Sequence, residues 1–202
     1  MPTGFNYRIL VVDDEPGILN TSAAILEKKG YEVRTACDGF AALAELRRSL
    51  PDVIISDLRM PNMSGFEFLS VVRRRFPHIP VIAISGEFTS SAPTGLIADA
   101  FFKKGDYMPE ELFQKIAILL EKIPRPHIVT PDKAPVWTAE NEAGYFVVTC
   151  TDCLRSFSIP NEHSGKEVRE TKCVFCDTNI YYLAEQKAPM PHLVKTTANR
   201  RN

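Results

Sequence analysis

Two groups of residues in this 202-residue chain carry side chains suited to chemistry at regular spacing. The first is acidic. Asp13 and Asp14 follow the apolar run Ile9 to Val12, Asp57 follows Val53 to Ser56, Ser85 closes Val81 to Ile84, and Lys103 and Lys104 follow Ala100 to Phe102. Carboxylates gathered at the ends of successive runs repel one another unless a cation sits among them. Hard oxygen donors with room for water suit Mg2+ better than a soft metal. A magnesium-bound carboxylate beside a lysine ammonium can attack a phosphoryl group, because charge on the transferring oxygens is neutralised. Lys103 and Lys104 point to opposite faces if the strand continues, so only one of them can serve. The second group is Cys150, Cys153, Cys173 and Cys176, two C-x-x-C pairs with nineteen residues between them. Four thiolates at this spacing can hold Zn2+ tetrahedrally, with no coordination position left open for catalysis. A thiol oxidoreductase is the competing reading, but it needs a helix N-terminus to depress one thiol pKa, and neither pair precedes a clear helix. Cys37 stands alone.

The elements that must position these residues are legible as alternating runs. Arg8 to Val12, Tyr31 to Ala36, Val53 to Ser56, Val81 to Ser85 and Ala100 to Lys103 read as strands. Pro16 to Lys29, Gly39 to Arg48, Gly65 to Arg75 and Glu110 to Ile123 read as helices. Thr89 to Ala98 reads as a weak helix at best, since Pro93 lies inside it. Strands buried on both faces and separated by helices imply an α/β fold, a five-stranded doubly wound parallel sheet. Its ligand site lies outside the carboxyl ends of the strands.

Residues 1–123 therefore form the first domain. Four prolines between Pro124 and Pro135 mark residues 124–142 as an extended linker. Residues 143–185 form a small β module around the cysteines, and residues 186–202 read as a disordered tail. The module's strand-like stretches are Tyr145 to Thr149, Arg155 to Ile159, Glu167 to Arg169 and Ile180 to Leu183. It has too little core to fold alone, so bound metal is expected to supply much of its stability. Lys and Arg number 14 against 16 Asp and Glu over residues 1–123, and 10 against 9 over the remainder. Neither part has the basic excess that drives binding to phosphate backbones. No apolar run approaches the roughly 18 residues a membrane span needs. With no secretion-type leader at its start, the expected location is cytoplasmic.

The segments Ile9-Leu10-Val11-Val12-Asp13-Asp14-Glu15 and Asp57-Leu58-Arg59-Met60-Pro61-Asn62-Met63-Ser64-Gly65 resemble the signature segments of bacterial response-regulator receiver domains, which are flavodoxin-like. The resemblance implies that Asp57 accepts a phosphoryl group from a histidine kinase or phosphotransfer protein. Asp13, Asp14, Asp57 and the backbone carbonyl of Arg59 would hold Mg2+. Ser85 would hydrogen-bond a phosphoryl oxygen, with small Gly86 leaving room for it, and Phe101 takes the place of the aromatic that turns inward. Counting back from Pro109-Glu110-Glu111-Leu112, Lys104 fits the family's phosphate-binding lysine. Gly105 stands where the family has proline, so a trans peptide and a shifted loop are expected.

The cysteine module resembles a small bacterial zinc ribbon, with Phe157-Ser158-Ile159-Pro160 after the first knuckle and Gly165-Lys166 before the second. Ribbons often carry glycine after each second cysteine; Leu154 and Asp177 stand there instead. The expectation is a non-enzymatic phosphorylation switch whose output is binding to an unknown protein target. A transcription regulator whose ribbon contacts DNA or RNA is the alternative. Receivers also dimerise through the face made by the fourth helix, fifth strand and last helix, so homodimerisation is open.

Overall fold

The computed structural model describes residues 7–86, 98–121, 135–139, 144–161 and 168–185. Five parallel strands form one sheet: β1 (Arg8–Val12), β2 (Glu32–Ala36), β3 (Val53–Asp57), β4 (Val81–Ser85) and β5 (Ala100–Lys103), in the order β2-β1-β3-β4-β5. Four helices connect or follow them: α1 (Pro16–Lys28), α2 (Gly39–Arg48), α3 (Gly65–Arg75) and α4 (Pro109–Glu121). The strand order reverses between β1 and β3, which carry Asp13 and Asp57 at their carboxyl ends.

Successive residues of β1, β3 and β4 point to opposite sides of the sheet and are apolar on both. Ile9, Val11, Val53, Ile55 and Ile82 pack with Leu19 and Leu26 of α1 and Leu112, Ile116 and Leu120 of α4. Leu10, Val12, Ile54, Val81 and Ala83 pack on the other side with Leu43 and Leu46 of α2 and Phe68, Leu69 and Val72 of α3. Helix starts are fixed by local polar groups. The Asp38 carboxylate accepts from the Ala41 N–H to open α2, and Ser64 and Glu67 form a reciprocal capping box at α3.

The C-terminal residues form β6 (Val136–Ala139), β7 (Tyr145–Thr149), β8 (Ser156–Pro160), β9 (Val168–Lys172) and β10 (Asn179–Glu185). β6 pairs parallel with β10, β10 antiparallel with β9, and β7 antiparallel with β8. This corrects the expected division of the chain. Residues 136–139 fall within the stretch read as linker, yet they form a strand of the C-terminal sheet. Val136 is buried, and β6 lies along α3. The Trp137 ring stacks on Phe66 with centroids 6.3 Å apart, and its backbone N–H donates to Ser70 Oγ at 3.2 Å. The expected helix at Thr89 to Ala98, most of the linker and the tail lie outside the described residues.

The module is also less dependent on its own core than its length implies. Val136, Phe146, Val148, Leu154, Ile180 and Tyr182 join the same buried cluster as the residues of α2 and α3. The Arg47 guanidinium of α2 donates to the Leu154 carbonyl at 2.7 Å, tying the first knuckle to the larger domain. No helix among the described residues is long and apolar enough to cross a membrane.

One continuous core implies one cooperative unfolding event. Urea unfolding should therefore give coincident midpoints by far-ultraviolet circular dichroism and by the emission of Trp137, the sole tryptophan. Separate midpoints would show that the module comes away first.

Candidate functional site

At the carboxyl edge of the sheet, oxygens of Asp13, Asp14 and Asp57 lie within 4.8 Å of one another. Asp13 and Asp57 are buried and Asp14 is exposed, so the cluster opens to water on one side. Lys104 Nζ lies 2.5 Å from Asp57 Oδ2 and 2.9 Å from Asp13 Oδ2. Lys103 turns away to Asp106 at 3.3 Å. Of the two lysines the sequence left open, the structure places Lys104 in the pocket. Burial disfavours its charge, but the hydrogen bonds to Asp57 and Asp13 outweigh this and hold the ammonium pKa well above its ordinary value. Burial also raises the Asp13 carboxyl, against the opposing pull of Lys104 and of the Glu15 N–H that donates to it at 3.0 Å.

The Lys104 loop explains the missing proline. Gly105 has φ +77°, which a proline ring, locked near about −65°, cannot adopt. The Lys104 N–H donates to the Ser85 carbonyl at 2.9 Å, and the Asp106 N–H closes a turn onto the Lys103 carbonyl at 3.1 Å. Ser85 Oγ is fully buried and has no hydrogen-bond partner, alone in this among the described side-chain nitrogens and oxygens. An unpaired buried hydroxyl costs about 1–3 kcal/mol, which an incoming acceptor would recover. A Cβ at Gly86 would meet only Lys104 Cβ, at 3.9 Å, so the protein itself leaves space there. The Arg59 N–H donates to Asp57 Oδ1 at 3.1 Å. Phe101 is half-buried against the α2 and α3 side of the sheet rather than among the carboxylates.

The loop after Asp57 has no slack. Asn62 takes a left-handed φ of +62° and donates through Nδ2 to Asp38 Oδ2. The Gly65 N–H donates to the Leu58 carbonyl at 3.0 Å. A Cβ on Gly65 would lie 1.9 Å from the Asp57 carbonyl oxygen and 2.7 Å from Leu58 Cα. One further residue reaches the pocket, and another feels its charge, without either having been singled out in the sequence. Glu15 Oε1 stands 3.5 Å from Lys104 Nζ, and its place directly after Asp14 was the available signal. The Tyr107 hydroxyl is pushed up by burial and by the charge of Asp13, and nothing in its sequence neighbourhood marks it.

The donor set fits a hard divalent cation, with three carboxylates close together and one of them open to solvent. The four cysteines form a second donor set. The Sγ atoms of Cys150 and Cys176 are 3.6 Å apart and those of Cys153 and Cys173 are 3.7 Å apart. Sulfurs about 2.3 Å from a tetrahedral ion would stand roughly 3.8 Å from one another. Bonded sulfurs would stand about 2.05 Å apart, and all four cysteines are free.

Both knuckles repeat one hydrogen-bond pattern. The Cys150 and Cys173 N–H groups donate to the Arg155 and Thr178 carbonyls, and the Leu154 and Asp177 N–H groups donate back to the Cys150 and Cys173 carbonyls, all at 2.9 Å. Leu154 and Asp177 occupy left-handed conformations, φ +55° and +60°, at the positions where ribbons place glycine. Burial pushes the Cys150 thiol up, while hydrogen bonding to Thr178, side chain first and then backbone, pulls Cys176 down to about 6.

A family model described as response regulator receiver domain matches residues 9–115, just over half of the chain and ending before the four paired cysteines. The nitrogen assimilation regulatory protein NtrX of Azorhizobium caulinodans is 45% identical over 82 residues, 40% of this chain and 18% of that protein. The alkaline phosphatase synthesis transcriptional regulatory protein PhoP of Bacillus subtilis is 33% identical over 120 residues, 58% of this chain and 50% of that protein. The chain thus spans half or less of the length of these curated relatives. Among solved structures, the chemotaxis response regulator CheY4 of Vibrio cholerae matches at 32% identity and TM-score 0.52, over 57% of this chain and 99% of that one. The response regulator protein TrrA of Thermotoga maritima, solved in complex with Mg2+-BeF, matches at 33% identity and TM-score 0.51, over 56% of this chain and 98% of that one.

The tight packing behind Asp57 gives a direct test. Gly65→Ala forces a methyl group into the Asp57 carbonyl and should cost about 3 kcal/mol of stability. The urea midpoint should fall with an unchanged slope.

Proposed function

The chain belongs to the response regulator receiver domain family, and from that premise we propose that Asp57 is its phosphoacceptor and that the cysteine module is a zinc ribbon serving as its output. The observation that carries this reading is the placement of Lys104 Nζ on both Asp57 and Asp13. Asp57 Oδ attacks the phosphorus of a phosphohistidine on a kinase or phosphotransfer protein. The new O–P bond forms as the P–N bond breaks, and the imidazole, already protonated on its other nitrogen, takes the P–N electron pair and leaves neutral. Asp13, Asp14, Asp57 and the Arg59 carbonyl are the groups that would hold Mg2+, which when bound neutralises charge on the phosphoryl oxygens. Lys104 gives up its contact with Asp57 and takes a phosphoryl oxygen. Ser85, whose hydroxyl is otherwise unpaired, supplies a second donor. Phe101 sits on β5, half-buried at the edge of the apolar cluster, and would be the aromatic that turns inward as Ser85 moves.

The Mg2+-BeF complex of TrrA supports this assignment, since that relative shares the matched part of the fold. Sulfur spacings near those of a tetrahedral ion support Zn2+ at the four cysteines. The output we propose is protein binding and not an enzymatic reaction. One observation favours the nucleic-acid alternative. Phe175 is exposed on the second knuckle, with the Arg155 guanidinium 5.3 Å from its ring, which is the kind of pair that stacks on bases. The near-neutral charge of the C-terminal residues, made more negative by four thiolates on one Zn2+, weighs against it.

Native mass spectrometry after incubation with phosphoramidate and magnesium tests both assignments. The protein should carry one zinc ion and gain one phosphoryl group that hydroxylamine removes. Asp57→Asn should keep the zinc and gain no phosphoryl group. Phosphorylation that persists in Asp57→Asn would remove Asp57 as the acceptor, and a zinc-free intact protein would remove the ribbon.

A further inference from the structure

We propose that zinc binding at the four cysteines and phosphoryl binding at Asp57 are thermodynamically coupled through α3 and β6. The inference rests on the proposed roles of both sites and adds the connection between them.

The connection begins at the phosphoacceptor. The space where Gly65 would carry a side chain is filled by the backbone of Asp57 and Leu58, and the Gly65 N–H is bonded to the Leu58 carbonyl. The first residue of α3 therefore cannot stay still if the Asp57–Leu58 backbone moves. The next residue, Phe66, stacks on Trp137. One turn further, Ser70 Oγ accepts from the Trp137 N–H while donating to the Glu67 carbonyl at 2.7 Å, and Glu67 is half of the capping box that starts the helix. A single turn and a half of α3 thus touches both the phosphoacceptor backbone and β6.

From β6 the path reaches the metal within a few residues. Trp137 lies opposite Leu183 of β10, and β10 begins at Asn179, three residues after Cys176. A second tie runs from Arg47 to the carbonyl of Leu154, the residue directly after Cys153. Cys150 and Cys173 are themselves buried in the cluster shared with α2 and α3. Metal binding supplies folding free energy to such a module, so anything that loosens its seat lowers its affinity for the ion.

At the phosphoacceptor, Lys104 is bound directly to Asp57, and α3 carries β6. A phosphoryl group replaces the Lys104–Asp57 bond and adds bulk beside the backbone against which Gly65 is packed. By linkage, zinc must change phosphoryl affinity by the same factor, and in the same direction, as phosphoryl binding changes zinc affinity.

The test uses the whole chain, with beryllofluoride and magnesium as the phosphoryl probe. Zinc affinity is read by competition with a chromophoric chelator, beryllofluoride binding by 19F NMR, and the joint by Trp137 emission. Beryllofluoride should shift zinc affinity by about fivefold or more, the range of ordinary allosteric coupling. Removing zinc should shift beryllofluoride affinity by the reciprocal of that factor. Ser70→Ala should bind both and shrink the factor toward one. Bound fluoride and bound zinc with affinities unchanged by each other would overturn the coupling alone. Absence of bound fluoride, or of bound zinc, would overturn the phosphoacceptor or the ribbon reading respectively, and the coupling with it.

Discussion

Mutual repulsion among Asp13, Asp14 and Asp57 is the constraint around which the larger domain is organised. Three carboxylates cannot share one edge of a sheet at close range unless positive charge is brought to them. Lys104 brings it from the far side of β4, on a strand that the sequence reaches only after four crossovers. The parallel sheet exists, in functional terms, to deliver these ends to one place. Its two apolar faces, packed by α1 and α4 on one side and α2 and α3 on the other, hold the strands in register. The charges sit at the rim, where water and a divalent ion can enter. The likeness to CheY4 and TrrA covers this part of the molecule.

The second organising fact is the absence of a boundary in the core. The cysteine module brings its own two small sheets, yet its buried residues continue the cluster begun by α2 and α3. α4 lies on the opposite face of the large sheet from α3 and β6, and β5 is the last strand of that sheet among the described residues. Receiver and module are consequently not a sensor and an effector on a tether. One face of α3 is covered by Trp137 and its strand.

Much of this was readable in the sequence, for reasons that particular residues make plain. The strands of the large sheet are runs such as Ile9 to Val12 and Val53 to Ile55, apolar without alternation, and the helices between them have capping residues at Asp38 and Ser64. Their predicted ends fall within one or two residues of those observed. The acidic cluster was readable because each member closes such a run. β6 was not readable, because Val136 to Ala139 is four residues long, follows four prolines, and has no period of its own. Its strand character comes from pairing with β10, more than forty residues away. The seat on α3 was equally hidden, since Phe66 and Ser70 look like ordinary helix residues until Trp137 is placed against them. Leu154 and Asp177 departed from the glycines expected after each knuckle. The structure shows both in the left-handed region, so these residues accept a backbone that glycine would accept more easily, as buried Leu154 does while its carbonyl receives Arg47.

The two knuckles share a hydrogen-bond pattern but not an environment. Cys150 and Leu154 of the first are buried toward the larger domain, whereas Cys176 is exposed beside Val174 and Phe175 at the outer tip. The group of four sulfurs therefore has a sheltered back and an open front. A chelator, an oxidant or an electrophile coming from solution meets exposed Cys176 first and half-buried Cys153 next, one sulfur from each hairpin, while Cys173 and Cys150 stay sheltered behind them.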